Sequence, residues 1–213
     1  PQQAERFVAD VVREAPRADL RQSLADSVVT WFASAVQRCD WSEAQHAFDV
    51  LRTLEGEPGR TEEAMRDALA GLDHEAITAQ LDEAGPETQA QFFALVANAG
   101  PGALDLTVSV LGRAGRARLR AAATTALSYM CQEEPRRLAP YLSDSRWHVV
   151  RNITFALGQI GGGEVTELLA RAARHLDARV RRAAVTALAQ VPARERVPLL
   201  LEQNPELIAT VPL

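Results

Sequence analysis

The sequence has 213 residues, of which 47% are hydrophobic and only 5% aromatic. This hydrophobic fraction excludes general disorder, and the excess of alanine and leucine over aromatic residues favours packed helices over a β-sandwich. The formal net charge is −5, but residues 1–109 carry 8 arginines against 19 acids, whereas residues 110–200 carry 15 against 7. Either a polyanion-binding second half or two mutually attracting halves would explain this asymmetry. No apolar run approaches the roughly 20 residues of a membrane span, so no membrane partner is expected.

The N-terminal segment, residues 1–86, is expected to be helical but irregular. Apolar residues at helical spacing predict helices near 7–12, 20–35, 41–51, 61–71 and 73–83. Breaks are predicted at 55–59 and at Gly85-Pro86. Since these helices share no common repeat register, they are either divergent repeats or a cap on the segment that follows.

The remainder of the chain repeats itself. Residues 178–191 match residues 147–160 at an offset of 31, so that Arg182 corresponds to Arg151 and Leu188 to Leu157. A further step of 30 towards the N-terminus finds Leu119, Thr124 and Met130 in register, and another step of 32 finds a weaker match. Within each unit the apolar residues return at i, i+3 and i+7, which is the spacing of one helix face. A repeat of this length predicts stacked helical units.

Each long helix is followed by a breaker and a shorter apolar helix. These second helices are predicted at 135–142, 164–174 and 193–202. Gly161-Gly-Gly163 is interpreted as the turn between two helices, because a phosphate-binding loop would need a preceding strand and a GK[ST] ending. Asp144 and Asp177 stand just ahead of long helices, where a short acceptor side chain can cap exposed backbone N–H groups. A hairpin of this size cannot bury its apolar face alone, so neighbours must stack.

The stretch Asp177-Ala-Arg-Val-Arg-Arg-Ala-Ala-Val-Thr-Ala-Leu188 resembles the D-x-x-V-R-x-x-A-x-x-A-L pattern of short bacterial HEAT-like repeats of the phycobilin-lyase type. The resemblance implies an all-α, right-handed α-solenoid of stacked helical hairpins over residues 87–213, after the irregular N-terminal residues 1–86. Its units would be about 87–115, 116–143, 144–176 and 177–203, with a C-terminal tail. It also implies a structural ladder between repeats formed by Asp177, Arg151 and Arg182. The unit beginning at 144 has two extra residues before Arg151, and Trp147 can fill the wider turn.

Residues 146–152, RWHVVRN, concentrate polar and aromatic side chains. A catalytic interpretation would make His148 a base and let Arg151 and Asn152 stabilise an oxyanion, since the three share a helix face. Because Arg182 occupies the place of Arg151 one repeat later, a structural cluster is the favoured interpretation and no catalytic residue is assigned. The next interpretation is a surface contact through Arg146, Trp147 and His148.

Arginines also recur on the predicted second helices, which line the concave surface in the resembled family. They could form a basic stripe that binds phosphates. A solvated face that pairs with the acidic half or with a protein partner is favoured, because the chain lacks the interleaved aromatic residues that single-strand stacking uses. The stripe consists of Arg136, Arg137, Arg171, Arg174, Arg194 and Arg196.

No metal site or cofactor is predicted, because the four histidines are scattered and no metal-ligand spacing occurs. Cys39 and Cys131 are interpreted as reduced thiols of a cytosolic protein.

Together these observations favour a non-catalytic scaffold that mediates protein–protein interaction. Both ends of the sequence look cut, so we expect a module of a larger bacterial cytoplasmic protein. Two alternatives stay open. The basic second half permits a nucleic-acid-binding module resembling HEAT-like DNA glycosylases, and the repeat subtype permits a phycobilin-lyase-like subunit.

Overall fold

The computed structural model describes residues 18–54 and 59–190. Across these two ranges the chain forms helices and connecting turns and contains no strand, which confirms the all-α prediction. The helices predicted at 7–12 and 193–202, together with Arg194 and Arg196, lie outside the described residues. Within the described portion of the chain, no helix combines the length and apolar character needed to cross a membrane.

The α-helices are α1 Ala18–Gln37, α2 Trp41–Leu54, α3 Gly59–Ala70, α4 His74–Glu83, α5 Pro86–Asn98, α6 Leu104–Arg113, α7 Ala117–Met130, α8 Trp147–Ile160, α9 Gly163–Ala172 and α10 Ala178–Gln190. Short 3-10 helices lie at Gly100–Ala103, Pro135–Leu138 and Pro140–Ser143. The chain divides into two compact units between Val110 and Leu111. The boundary at 86–87 rests on sequence register and stays a prediction.

The first unit has its core where α2 packs against α1 and α5. Phe32, Trp41 and Phe92 are fully buried there, and the Trp41 and Phe92 rings meet edge to face at 4.9 Å. Short acidic side chains start the helices. Asp40 accepts the backbone N–H of Glu43 ahead of α2, and Asp73 caps α4 through the N–H groups of its first turn.

The second unit carries the repeat predicted from the sequence. Its long helices α7, α8 and α10 begin at 117, 147 and 178, so the 30- and 31-residue steps of the sequence are also steps of the structure. Helix α8 lies between α7 and α10 and packs against both. The predicted apolar stripes face inward, with buried side chains at Val150, Ile153, Leu157, Val180, Ala184 and Leu188. Each of these long helices is the first helix of its repeat, and it packs its apolar side chains against the first helix of the next repeat.

Helices α8 and α10 approach closely at one point. A Cβ built on Gly158 would lie 2.9 Å from the Cβ of Ala187. Real Cβ atoms do not approach so closely, so the absence of a side chain at Gly158 sets how near the two helices lie.

The second helices follow the prediction at one repeat and depart from it at another. Helix α9 follows a turn in which Gly161 and Gly162 have φ of 71° and 90°, a region that favours glycine, so the turn interpretation of the three glycines is confirmed. The helix predicted at 135–142 is instead two 3-10 helices. Pro140 lacks the N–H that a continuous helix needs, which explains the break.

Candidate functional site: grooves between the first helices

An Asp-x-Arg motif starts two successive first helices in the same way. Asp144 accepts the backbone N–H of Arg146 at 2.8 Å and binds its guanidinium through Nε at 3.0 Å and Nη2 at 2.7 Å. Asp177 and Arg179 repeat this arrangement at 2.8, 3.1 and 2.8 Å. The hydrogen bonds from the arginine lower the pKa of Asp144 and lower that of Asp177 to about 2. The predicted capping role is confirmed for Asp177, which lies directly before α10 and accepts an N–H of its first turn. It is wrong for Asp144, because the helix begins only at Trp147 and the N–H that Asp144 accepts belongs to Arg146, ahead of the helix.

A second repeated device holds the turns ahead of α7 and α10. The Nη1 atom of Arg120 donates to the carbonyl oxygens of Ala114 and Gly115, both at 2.8 Å. Arg181 does the same two repeats later, reaching the carbonyl of His175 at 2.9 Å and that of Leu176 at 2.6 Å. Charged donors to two adjacent carbonyls tie a turn to the helix that follows it. We call the residues that make these contacts, together with the Asp-x-Arg motifs, the frame of the repeats.

The structure brings Arg146, Trp147 and His148 together at the start of α8. The guanidinium of Arg146 lies against Gly112, where a Cβ would collide with it, and the Nε2 atom of His148 lies 3.2 Å from the Gly112 carbonyl oxygen. The guanidinium carbon of Arg179 sits 3.4 Å from the centre of the Trp147 ring, which is a cation–π contact between successive repeats. All three side chains are only partly exposed, so some of this predicted surface is used for packing.

A groove of about 640 Å³ opens between α7 and α8. His148, Arg151 and Asn152 lie on one wall, as their spacing predicts, and Phe155 continues that wall. The opposite wall carries short side chains, mainly alanines and threonines of α7. Beside them lies Arg120, which already binds two backbone carbonyls. Its lining side chains are Ala114, Ala117, Arg120, Ala121, Thr124, Thr125, Trp147, His148, Arg151, Asn152, Phe155 and Gln159.

A second groove of about 350 Å³ opens between α8 and α10. It shares Arg151 and Phe155 with the first groove, so the two grooves adjoin across α8. The guanidinium carbon of Arg151 lies 5.2 Å from the centre of the Phe155 ring, and Arg179 and Arg182 line the far wall. Among the described residues, no acidic side chain lines either groove. The first-helix face of the second unit is therefore grooved, positively charged and partly aromatic.

A comparison with protein-family models agrees with this repeat geometry. A family model described as HEAT repeats matches residues 135–205, a segment that contains α8, α9 and α10. HEAT repeats are thus identified in residues 135–205. No curated protein matches it. Among solved structures, the crystal structure of an engineered protein, a Northeast Structural Genomics Consortium target, is 18% identical with a TM-score of 0.30, covering 86% of this chain and 96% of that one.

The ladder implied by the resemblance has a different form in these HEAT repeats. The side-chain hydrogen bonds of the Asp177 carboxylate within the described residues go to Arg179, two positions further along the chain. Arg151 and Arg182 both line the groove between α8 and α10. Asp177 binds Arg179 because this arginine lies only two residues further along the chain, where its guanidinium donates to both carboxylate oxygens.

The basic stripe predicted on the second helices is interleaved with acids. Arg136 pairs with Glu164 at 2.5 Å and lies 3.8 Å from Glu167, both on α9. Arg137 pairs with Glu134 at 2.8 Å. Two more stripe residues, Arg171 and Arg174, are at least partly exposed, and Arg171 donates to Ser143 Oγ at 2.6 Å. Much of the positive charge on this face of the described HEAT repeats is therefore balanced locally.

The two cysteines are free thiols in the structure. Burial raises the pKa of Cys131 to about 11 and raises that of the less buried Cys39. In the described ranges, no group of three or more His, Cys, Asp or Glu side chains is placed to hold a metal ion.

Sequence reasoning missed the grooves, although one signal of them was present. Arg151 and Arg182 recur at the 31-residue offset, and Phe155 lies one turn after Arg151 on the same helix. The recurrence alone favours a structural interpretation, whereas the structure places both arginines in groove walls.

Proposed function

We propose that this chain is a non-catalytic HEAT-repeat scaffold that binds a partner protein through the first-helix face of its second unit. The single observation that carries the proposal is the pair of adjoining grooves at successive helix junctions, α7–α8 and α8–α10. A surface that repeats with the helices presents many side chains along one line without altering the core beneath them.

Polar side chains on this face divide into two groups. One group holds the frame: the Asp-x-Arg motifs and the arginines that bind the preceding turns. The other group lines the grooves, with Asn152 and Gln159 offering amide donors and acceptors and Arg151 and Arg182 offering charge. Because the frame is held by its own contacts, the groove side chains stand on a preorganised surface, which lowers the entropic cost of binding.

The nucleic-acid alternative has less support in the structure than the protein alternative. The stripe arginines Arg136 and Arg137 already have carboxylate partners, and a phosphate would have to displace them. The chain as a whole is also negatively charged, at −5, which opposes the approach of a polyanion.

The composition supports our proposal that this scaffold works in a bacterial cytoplasm. All 23 basic residues are arginine, as expected from a GC-rich bacterial genome, and both cysteines are free thiols, as in a reducing cytoplasm.

The test is to identify and reconstitute a complex. The tagged chain would be used to purify partners, each candidate would be produced separately, and the mixture would be analysed by size-exclusion chromatography with light scattering. We expect a complex of fixed stoichiometry from purified components. If no purified candidate forms such a complex, or if the purified chain itself turns over a substrate, the proposal is overturned.

A further inference from the structure

The grooves contain two cations that the frame does not use. Arg120 and Arg179 are committed to backbone carbonyls and to Asp177. Arg151 and Arg182 make no ion pair with any residue in the described ranges 18–54 and 59–190, and the described contact of Arg151 is the ring of Phe155. Both sit in groove walls to which the described residues contribute no carboxylate.

We propose that the joined grooves bind an extended acidic segment of the partner protein, with one carboxylate on Arg151 and a second on Arg182. This inference rests on the proposed scaffold function and names the chemistry of its partner. Arginine suits the task because its planar guanidinium binds a carboxylate through two parallel N–H donors.

The spacing of the two arginines sets the spacing of the acids. Arg151 and Arg182 occupy matching places on α8 and α10, and packed helices lie about 8–10 Å apart. A polyproline II segment rises about 3.1 Å per residue with three residues per turn, so carboxylates three residues apart lie about 9 Å apart on one side. A pair of acids at i and i+3 therefore matches a pair of arginines on neighbouring helices.

The groove surface also offers an apolar contact between and beside the charges. Phe155 separates the two grooves, and Trp147 is held in place by Arg179. Alanines line the opposite side of the larger groove. An apolar side chain of the bound segment can pack against Phe155 or Trp147, and Asn152 can hydrogen-bond to the peptide backbone. The expected motif combines two acids with an apolar residue near them.

A peptide fits this surface better than a nucleic acid. Binding to duplex nucleic acid draws its affinity from many phosphate contacts, whereas the described grooves offer two cations that are not already paired. The mixed charged and apolar lining also suits a polypeptide, which can carry both kinds of side chain.

The test is a selection followed by direct binding measurements. The folded chain would be immobilised and used to select from a displayed library of random peptides, and enriched peptides would be synthesised with a fluorescent label. We expect enrichment of sequences with two acids three residues apart beside an apolar residue. Enrichment of sequences without acids, or no enrichment, would overturn the proposal.

Matched variants locate the binding site. In fluorescence anisotropy with an enriched peptide, the double variant Arg151→Gln and Arg182→Gln should bind about tenfold more weakly or worse. The control variant Arg171→Gln with Arg174→Gln, which also removes two positive charges but from exposed positions in and just after α9, should bind as the parent does. Circular dichroism and the urea midpoint check that every variant is folded.

Two further outcomes separate the inference from the proposed function. If a reconstituted partner complex forms but the Arg151→Gln and Arg182→Gln variant leaves it intact, the scaffold stands and the acidic-segment inference fails. If labelled duplex or single-stranded DNA competes with the peptide and binds more tightly to the same grooves, the surface is a nucleic-acid site and both proposals fall.

Discussion

The close approach of α8 and α10 predicts the effect of adding one methyl group. Substituting Gly158→Ala places a Cβ 2.9 Å from that of Ala187, where carbon atoms normally stay about 3.5–4.0 Å apart. The helices must then separate or shift. An exposed glycine in the middle of a helix would behave in the opposite way, because alanine is the better helix former by about 1 kcal/mol.

The change in the free energy of unfolding follows from overpacking and from helix propensity, and a substitution at Ala187 checks it. Overpacking costs about 1–3 kcal/mol, so after the gain in helix propensity we expect Gly158→Ala to lower the free energy of unfolding by about 1 kcal/mol. Ala187→Gly alone should lower it by about 2 kcal/mol, through lost propensity and a lost buried methyl. The double variant exchanges the methyl between the helices and should lie close to the parent.

Urea denaturation followed by circular dichroism would measure the four free energies of this double-mutant cycle. We expect a coupling energy of about 2–3 kcal/mol between the two positions, the difference between the summed single effects and the double variant. Ala121→Gly, at an exposed position in the middle of α7, calibrates the propensity effect by itself. If Gly158→Ala raises stability by about 1 kcal/mol and the coupling is near zero, the reasoning about helix approach is wrong.

Three further predictions concern the frame and the thiols. Arg181→Met should lower the free energy of unfolding by about 1 kcal/mol in urea denaturation, since two carbonyls lose a charged donor, whereas equal stability would show that the contact contributes nothing. The folded-state pKa values of Asp144 and Asp177 lie below the unfolded value of about 3.9. Their contribution to the free energy of unfolding is therefore complete above about pH 4. It is lost as the pH falls through the lowered folded-state pKa values, of which that of Asp177 is about 2. The double variant Asp144→Asn with Asp177→Asn should show a shallower fall in stability below about pH 4, and an unchanged slope would contradict this. At pH 8 a disulfide reagent should modify Cys39 before Cys131 in the folded chain, because burial raises the pKa of Cys131 to about 11. Equal modification rates of the two cysteines in the folded chain would count against this.

Local periodicity was enough to predict most of the second unit. The positions of Val150, Ile153 and Leu157 follow from the geometry of one helix, because residues three and four apart lie on the same side whatever packs there. The 31-residue offset likewise predicted where α10 begins. The prediction of one second helix at 135–142 was wrong because apolar spacing was weighted above Pro140, whose missing N–H breaks the helix into two turns.

What the sequence determined by itself was the helical class, the repeat length, the cap at Asp177, and the shared face of His148, Arg151 and Asn152. These are local properties of the backbone and of nearest-neighbour spacing.

The tertiary structure alone decided which arginines are available to bind. An arginine such as Arg136 is paired only because a carboxylate on another element, that of Glu164 on α9, lies within reach. That distance depends on how far each helix is shifted and rotated against its neighbour. Packing sets those quantities, and so it left Arg151 and Arg182 in a groove wall where no carboxylate of the described residues lies beside them.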